Sequence, residues 1–212
     1  MYSTITGIIL SGGHSSRMGT NKSFLKIGDK TIIERVKDLM QSLFKEVLLI
    51  TNEPDDYKFL RIPIYKDVFP FMGPLAGIHS ALVNSSTEKN FIISCDIPLI
   101  TPQMIEYITD YSSEKPVIVP IASGYVQQVC GIYTKKCIKP AEKLLKSSGI
   151  EEKKKLGHHK AGCKVMDLIN EVDGQIIYVE SLPFYTHDLF FNMNAEEDYH
   201  YILDKLNQKV KI

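Results

Sequence analysis

The stretch from Gly7 to Lys22, Gly-Ile-Ile-Leu-Ser-Gly-Gly-His-Ser-Ser-Arg-Met-Gly-Thr-Asn-Lys, limits what this chain can become more than any other. Ile8, Ile9 and Leu10 form an apolar run of the kind that is buried on both faces of a parallel sheet. The run breaks at Gly12 and Gly13, which lack a Cβ and let backbone N–H groups come close to a bound group. Two hydroxyls, Arg17, a third glycine and Lys22 follow. A buried strand, a glycine-rich turn and then fixed cations suit a polyphosphate. Arg17 offers a planar fork and Lys22 a point charge. A strand-to-loop turn with solvated cations is the plainer reading, but it explains neither the glycine pair nor the paired cations. Two better-known phosphate loops fail on spacing. Thr20-Asn21 separates Gly19 from Lys22, and adjacent glycines do not fit G-x-G-x-x-G.

Strands and helices alternate along the rest of the chain. Thr31 is placed to cap a helix whose apolar residues Ile32, Val36, Leu39, Met40 and Leu43 recur at helical spacing. Val47 to Ile50 is a second buried strand, stopped by Pro54. Ile62 to Tyr65 is a third, followed by Lys66-Asp67. Gly73-Pro74 opens a helix with proline in its first turn. The apolar residues from Phe91 carry Asp96 to the carboxyl end of a further strand, where open α/β sheets bind ligands. Thr101-Pro102 starts the next helix. Val117 to Pro120 and Gly124 to Tyr133 each read as a strand, Pro140 starts a helix to Ser148-Gly149, and Ile176 to Val179 is a late strand. A last helix carries Tyr199, Ile202, Leu203 and Leu206. This alternation predicts one α/β domain with a parallel sheet, right-handed crossovers and flanking helices.

Asp96 is either a turn cap or a metal ligand. Its place at the same sheet edge as the glycine-rich turn favours the metal. His79 is expected to be a surface or core histidine rather than an acid–base group. The basic run Lys153 to Lys160 is a solvated face, or a cationic rim for an anionic second substrate.

Twenty-five basic and 25 acidic residues give zero formal net charge, so no global field points to nucleic acid or membrane. No apolar stretch reaches the length of a membrane span, and the N-terminus lacks a signal-peptide layout. Cys95, Cys130, Cys137 and Cys163 form no C-x-x-C pair. The expectation is reduced thiols in a cytoplasmic protein, with neither zinc site nor disulfide framework.

Leu10-Ser-Gly-Gly-x-Ser-x-Arg-Met-Gly-x-Asn-Lys22 resembles the L-x-G-G-x-S-x-R-M-G-x-D-K opening of the molybdenum cofactor guanylyltransferases, with Asn21 in place of the usual Asp. Gly73-Pro-Leu-Ala-Gly77 resembles their G-P-L-A-G segment, which borders the base. Cys95-Asp-Ile-Pro98 resembles their C-D-x-P element, whose Asp holds Mg²⁺. Phe190 to Asp198 resembles F-x-N-x-N-T-x-x-D. Gln127-Gln128 stands where the family often has His-Pro.

The resemblance implies one nucleotidyltransferase domain over residues 1–212. Its fold would be of the nucleotide-diphospho-sugar transferase type, with a mostly parallel, Rossmann-like sheet. It implies Mg²⁺-dependent transfer of GMP from GTP to the phosphate of molybdopterin, or of its molybdenum-loaded form, with release of pyrophosphate. Arg17, Lys22 and Asp96 would be the catalytic residues. Leu10, Ser11, Gly12, Gly13, Lys22, Asn52, Asp67, Gly73, Pro74, Leu75 and Asp96 would bind GTP, and Asp96 the metal. Asp67 could accept from guanine or from the ribose hydroxyls. Asn192 and Asn194 either cap the last helix or reach the metal or acceptor. Transient contacts with proteins that deliver and receive the cofactor would follow. Cytidylyl transfer to the same cofactor and nucleotidyl transfer to a sugar or alcohol phosphate remain alternatives. The glycine pair favours the guanylyl branch, since cytidylyl enzymes tend to carry Ala-Ala-Gly there. A nucleotide-binding regulator or cofactor chaperone is the non-enzyme alternative; a mere binder needs no placed metal ligand, so Lys22 together with Asp96 argues against it.

Overall fold

The computed structural model describes residues 1–12, 21–154 and 164–209. β1 (Tyr2–Leu10) runs through the middle of the sheet. Ile8 and Ile9 are fully buried and belong to different hydrophobic cores, as strand alternation requires. A small hairpin of β2 (Lys26–Ile27) and β3 (Lys30–Thr31) turns at Gly28, whose φ is 69°.

Thr31 then closes a capping box on α1 (Ile32–Leu43). The Thr31 N–H donates to the Glu34 carboxylate at 2.8 Å, and the Glu34 N–H donates to the Thr31 hydroxyl at 3.3 Å. Ile32, Ile33, Val36, Met40 and Leu43 form the buried stripe of α1. β4 (Phe44–Ile50) follows without a loop. β5 (Ile64–Tyr65) is shorter than the Ile62 to Tyr65 expected; Pro63 has no N–H to lengthen the ladder.

Then come α2 (Pro74–Asn84), β6 (Lys89–Ser94), α3 (Pro102–Asp110), β7 (Val117–Ala122), β8 (Tyr125–Val126) and β9 (Cys130–Thr134). Gly124 to Tyr133 is therefore two strands and not one. Ser123 and Gly124, both at positive φ, fold β8 back onto β7, and Gln127-Gln128 breaks the run. The chain ends with α4 (Ile138–Lys154), α5 (Val165–Glu171), β10 (Gln175–Tyr178) and α6 (Glu196–Lys209). α4 begins two residues before Pro140, which falls in its first turn, where no helical N–H bond is lost.

The sheet order is β10-β7-β9-β6-β1-β4-β5, with β8 attached to β7. β1, β4, β5 and β6 are mutually parallel. β9 is antiparallel to both β6 and β7, so the sheet is mostly parallel, as the resemblance implied. Ile33 of α1, Ile105 of α3 and Ile202 of α6 pack into the core on one face. Ile78 of α2, Leu145 of α4 and Leu168 of α5 pack into the core on the other.

The site is prepared by register. Tyr65 pairs with Ile50, Ile50 with Leu10, and Leu10 with Ser94, so four parallel strands end in one row. Backbone hydrogen bonds carry the ladder one residue further: Ser11 N–H to Ile50 C=O, Thr51 N–H to Tyr65 C=O and Cys95 N–H to Leu10 C=O, each 3.0 Å. The chain steps outward from β1 to β4 and β5, then returns to β6 on the other flank of β1. That reversal opens a crevice at the carboxyl rim beside β1.

Candidate active site

Gly12, Asn52, Asp67 and Asp96 each lie two residues past one of the four strand ends. They line one cleft of about 610 Å³, together with Leu10, Ser11, Lys22, Gly73, Pro74, Gly77 and Asn194. That volume suits a nucleotide-sized ligand. The cleft gathers most of the candidates read from the sequence. Among the described residues Leu75 and Asn192 are the exceptions. Leu75 is fully buried in the core beneath α2 and does not line the cleft, because the turn after Pro74 carries it inward. Gly13 and Arg17 lie outside the described residues, as do His158, His159, Lys160 and Cys163. Lys153 and Lys154 close α4.

Asp96 is held between backbone and charge. Burial pushes its carboxyl above the usual carboxylate range, while the Ser94 hydroxyl, its own backbone N–H and the Lys22 ammonium pull it partly back. Its Oδ1 is buried and has no hydrogen-bond partner. A buried carboxylate oxygen without a partner is costly unless a cation or donor completes it. The residues present therefore fit a divalent cation at Asp96. Among the described residues no three His, Cys, Asp or Glu side chains cluster to hold a metal by themselves. Mg²⁺ needs no such cluster, because one or two carboxylates suffice when phosphate oxygens and waters complete the shell.

Asp67 repeats the pattern on the other flank. Asn52 Nδ2 donates to its Oδ2 at 2.9 Å, and Oδ1 is buried without a partner. Burial raises its pKa, with the Asn52 amide opposing. Gly77 sits between Leu10 and Asp67. A Cβ there would lie 3.5 Å from a Leu10 methyl and 3.8 Å from Asp67 Oδ1, which is ordinary contact. Packing within the chain therefore does not demand glycine at position 77, which lines the cleft. Gly73 has φ 77° and is the residue from which α2 starts, so its glycine is a backbone requirement. Gly12 has open space where a Cβ would stand.

Lys22 Nζ donates to the Met193 carbonyl at 3.1 Å, and the Met193 N–H donates to the Asp96 carbonyl at 2.9 Å. The segment before α6 thus reaches the cleft through Met193 and Asn194. Neither asparagine side chain caps α6. Asp198 reaches back instead and accepts from the Asn194 and Ala195 N–H groups at 2.6 and 2.7 Å. Asn192 Nδ2 donates to the Phe190 carbonyl, and this residue stays outside the cleft lining. His79 is buried in α2, with Phe69 edge-on at 5.2 Å, and is the core histidine expected.

Three cleft residues carried no signal that the sequence reading used. Tyr57, Phe71 and Met193 all line it. Phe71 holds φ 64° and is 73% exposed at the mouth. An aromatic ring just before Gly73-Pro74 was the available clue.

The profile of the MobA-like NTP transferase domain matches residues 7–161. The chain belongs to that family. The MobA-like match spans the first strand, the glycine-rich turn, α2 and Asp96. A protein of Carboxydothermus hydrogenoformans, named "Probable molybdenum cofactor guanylyltransferase", is 35% identical over 94% of this chain and 95% of its own length. The molybdenum cofactor guanylyltransferase of Desulfosudis oleivorans is 29% identical over 98% of this chain and 96% of its own. Molybdopterin-guanine dinucleotide biosynthesis protein A of Archaeoglobus fulgidus has the same fold, with a TM-score of 0.78, 17% identity, and coverage of 96% of this chain and 100% of that one.

Proposed function

We propose that this protein transfers GMP from GTP to the terminal phosphate of molybdopterin, or of its molybdenum-loaded form, and releases pyrophosphate. The supporting observation is the cleft at the shared strand ends. It sets two buried carboxylate oxygens without partners, Asp67 Oδ1 and Asp96 Oδ1, on either side of the end of β1, in the same cleft as Lys22. The names of the guanylyltransferases above support the choice of GTP and acceptor.

The phosphate oxygen of the acceptor attacks the α-phosphorus. The bond from that phosphorus to the bridging oxygen breaks, and pyrophosphate leaves with the electron pair. A phosphate monoester has its second pKa near ~6, so it arrives ionised at neutral pH and needs no general base. Lys22 neutralises charge on the triphosphate, and Arg17 is assigned the same work. The backbone of Leu10, Ser11, Gly12 and Gly13 approaches the nucleotide, and Gly73 and Pro74 border the base with Gly77. Asn52 orients Asp67, whose Oδ1 accepts from a donor of the guanosine. Mg²⁺, when bound at Asp96, supplies charge neutralisation on phosphate oxygens and helps align them. Asn194 is assigned to the acceptor side. The free thiols Cys95, Cys130 and Cys137 suit a reducing compartment such as the cytoplasm.

The test is turnover of GTP, CTP and UTP by the purified protein with molybdopterin and Mg²⁺. Preference for GTP is expected. Preference for CTP would move the assignment to the cytidylyl branch, and tight nucleotide binding without transfer would make the protein a binder.

A further inference from the structure

Tyr57 joins two parts of the cleft wall that the sequence keeps apart. Its ring is 1% exposed and lies on the 3-10 turn Pro54–Leu60, with the Phe24 ring at 5.0 Å. Its hydroxyl sits 2.8 Å from Ser11 Oγ, at the end of β1, and 2.9 Å from both Ser23 Oγ and Asn21 Nδ2. Ser11 precedes the glycine-rich turn; Asn21 and Ser23 flank Lys22. One phenol oxygen thus bridges the start and the finish of the phosphate-binding segment.

The protons can be assigned by elimination. Ser23 donates its hydroxyl proton to Asn21 Oδ1 at 2.7 Å. Tyr57 therefore donates to Ser23 Oγ. The phenol oxygen accepts from the Asn21 amide and from Ser11, and Ser11 in turn accepts from Cys95 Sγ at 3.4 Å. The ring Asn21–Tyr57–Ser23 closes because an amide donates from one atom and accepts at another. Asn21 Oδ1 also accepts the Ser23 N–H at 3.1 Å, which fixes the turn that presents Lys22. Each polar atom of the ring is used, and such a network is rigid.

We infer that Tyr57 is a positioning residue for nucleotide binding: its hydroxyl sets the distance between the Ser11 end of β1 and Lys22. The inference rests on the nucleotide reading above. Tyr57 touches no reacting atom in this role; it acts through Ser11, Asn21 and Ser23. Removing the hydroxyl leaves the packed ring in place and frees the two walls from each other.

The test is Tyr57→Phe, with GTP affinity measured by titration in Mg²⁺, followed by steady-state kinetics. Loss of one bridging hydroxyl is expected to weaken GTP binding and raise its KM about tenfold, with kcat at saturation changed far less. A merely structural role would reduce the folded fraction, lowering kcat and leaving KM as it was. Ser23→Ala removes one of the two bonds by which the phenol holds the Lys22 side, the Asn21 amide keeping the other, and is expected to give a smaller KM increase. The double variant should cost less than the sum of the two single ones, because both cut the Tyr57–Ser23 bond. GTP affinity within twofold of wild type in folded Tyr57→Phe overturns the inference. Should that variant fail to fold, wild-type affinity in Ser23→Ala overturns it. A wild-type protein that does not bind GTP overturns the nucleotide reading, and this inference with it.

Discussion

Met193 donates its N–H to the backbone carbonyl of Asp96 at 2.9 Å, so main chain fastens the segment before the last helix to the residue just past β6. The Met193 carbonyl then accepts from Lys22 at 3.1 Å. Asp96 and Lys22, assigned above to the metal and to the triphosphate, share one late residue. The cleft is therefore completed only when the end of the chain has docked.

Lys22→Ala removes a positive charge from a cleft that contains two carboxylates, each with one buried oxygen. Charge neutralisation of this kind contributes a hundredfold or more, so kcat/KM for GTP is expected to fall by roughly that factor. The melting temperature should barely move. Kinetics and circular dichroism check both; wild-type turnover would remove Lys22 from the mechanism.

Asp96→Asn keeps the size and removes the charge. Losing the electrostatic help assigned to this carboxylate is expected to raise the barrier by at least ~3 kcal/mol, while GTP binding partly survives. Mg²⁺ titration monitored by melting temperature should lose its stabilising effect in the variant. Near-normal activity in a folded Asp96→Asn protein would mean that the metal is held elsewhere.

Asp67 gives a prediction about pH. Burial raises its folded-state pKa above the ordinary 3.8, so protonation favours the folded chain. That contribution is complete below the ordinary value and is lost as pH rises through the folded-state value. Asp67→Asn mimics the protonated form. Without nucleotide it is expected to raise the melting temperature near neutral pH, and the gain should shrink as pH falls into the ordinary carboxylate range. A gain independent of pH would show that charge burial is not its source.

Two glycines should behave in opposite ways. A Cβ on Gly131 would stand 2.3 Å from the Ile118 carbonyl oxygen, a main-chain atom that cannot yield without breaking the sheet. Gly131→Ala is expected to cost about 3 kcal/mol or more of stability. Gly77→Ala meets only ordinary contacts. It should fold normally and weaken GTP binding by narrowing the cleft. Denaturant unfolding and GTP titration of both variants separate the cases.

Asp96 was legible in the sequence because it follows a run of buried apolar residues. Asn52 and Asp67 came from the family resemblance and from their places after expected strands, and register then brought the three together. Strand direction was not legible: β9 is buried throughout, and such a run reads the same whichever way it lies. Tyr57 sits among Asp55, Asp56 and Lys58, a setting that reads as solvated surface, yet the 3-10 turn rolls it inward. Leu75 was carried along with its G-P-L-A-G neighbours, although one helical turn points its members to opposite sides. The side-chain cap that the sequence offered to Asn192 or Asn194 is replaced by Asp198, which reaches back from inside the helix to the Asn194 and Ala195 N–H groups.

The central place of β1 also bears on how the protein is made. This strand leaves the ribosome ahead of both its neighbours, β4 and β6. Until Ser94 clears the exit tunnel, one hydrogen-bonding edge of an apolar, two-faced strand stays open. Such an edge is a template for pairing with other chains. The nascent protein should therefore lean on chaperones through the first half of its synthesis, and mature only after β6 has closed over the strand on which everything else is built.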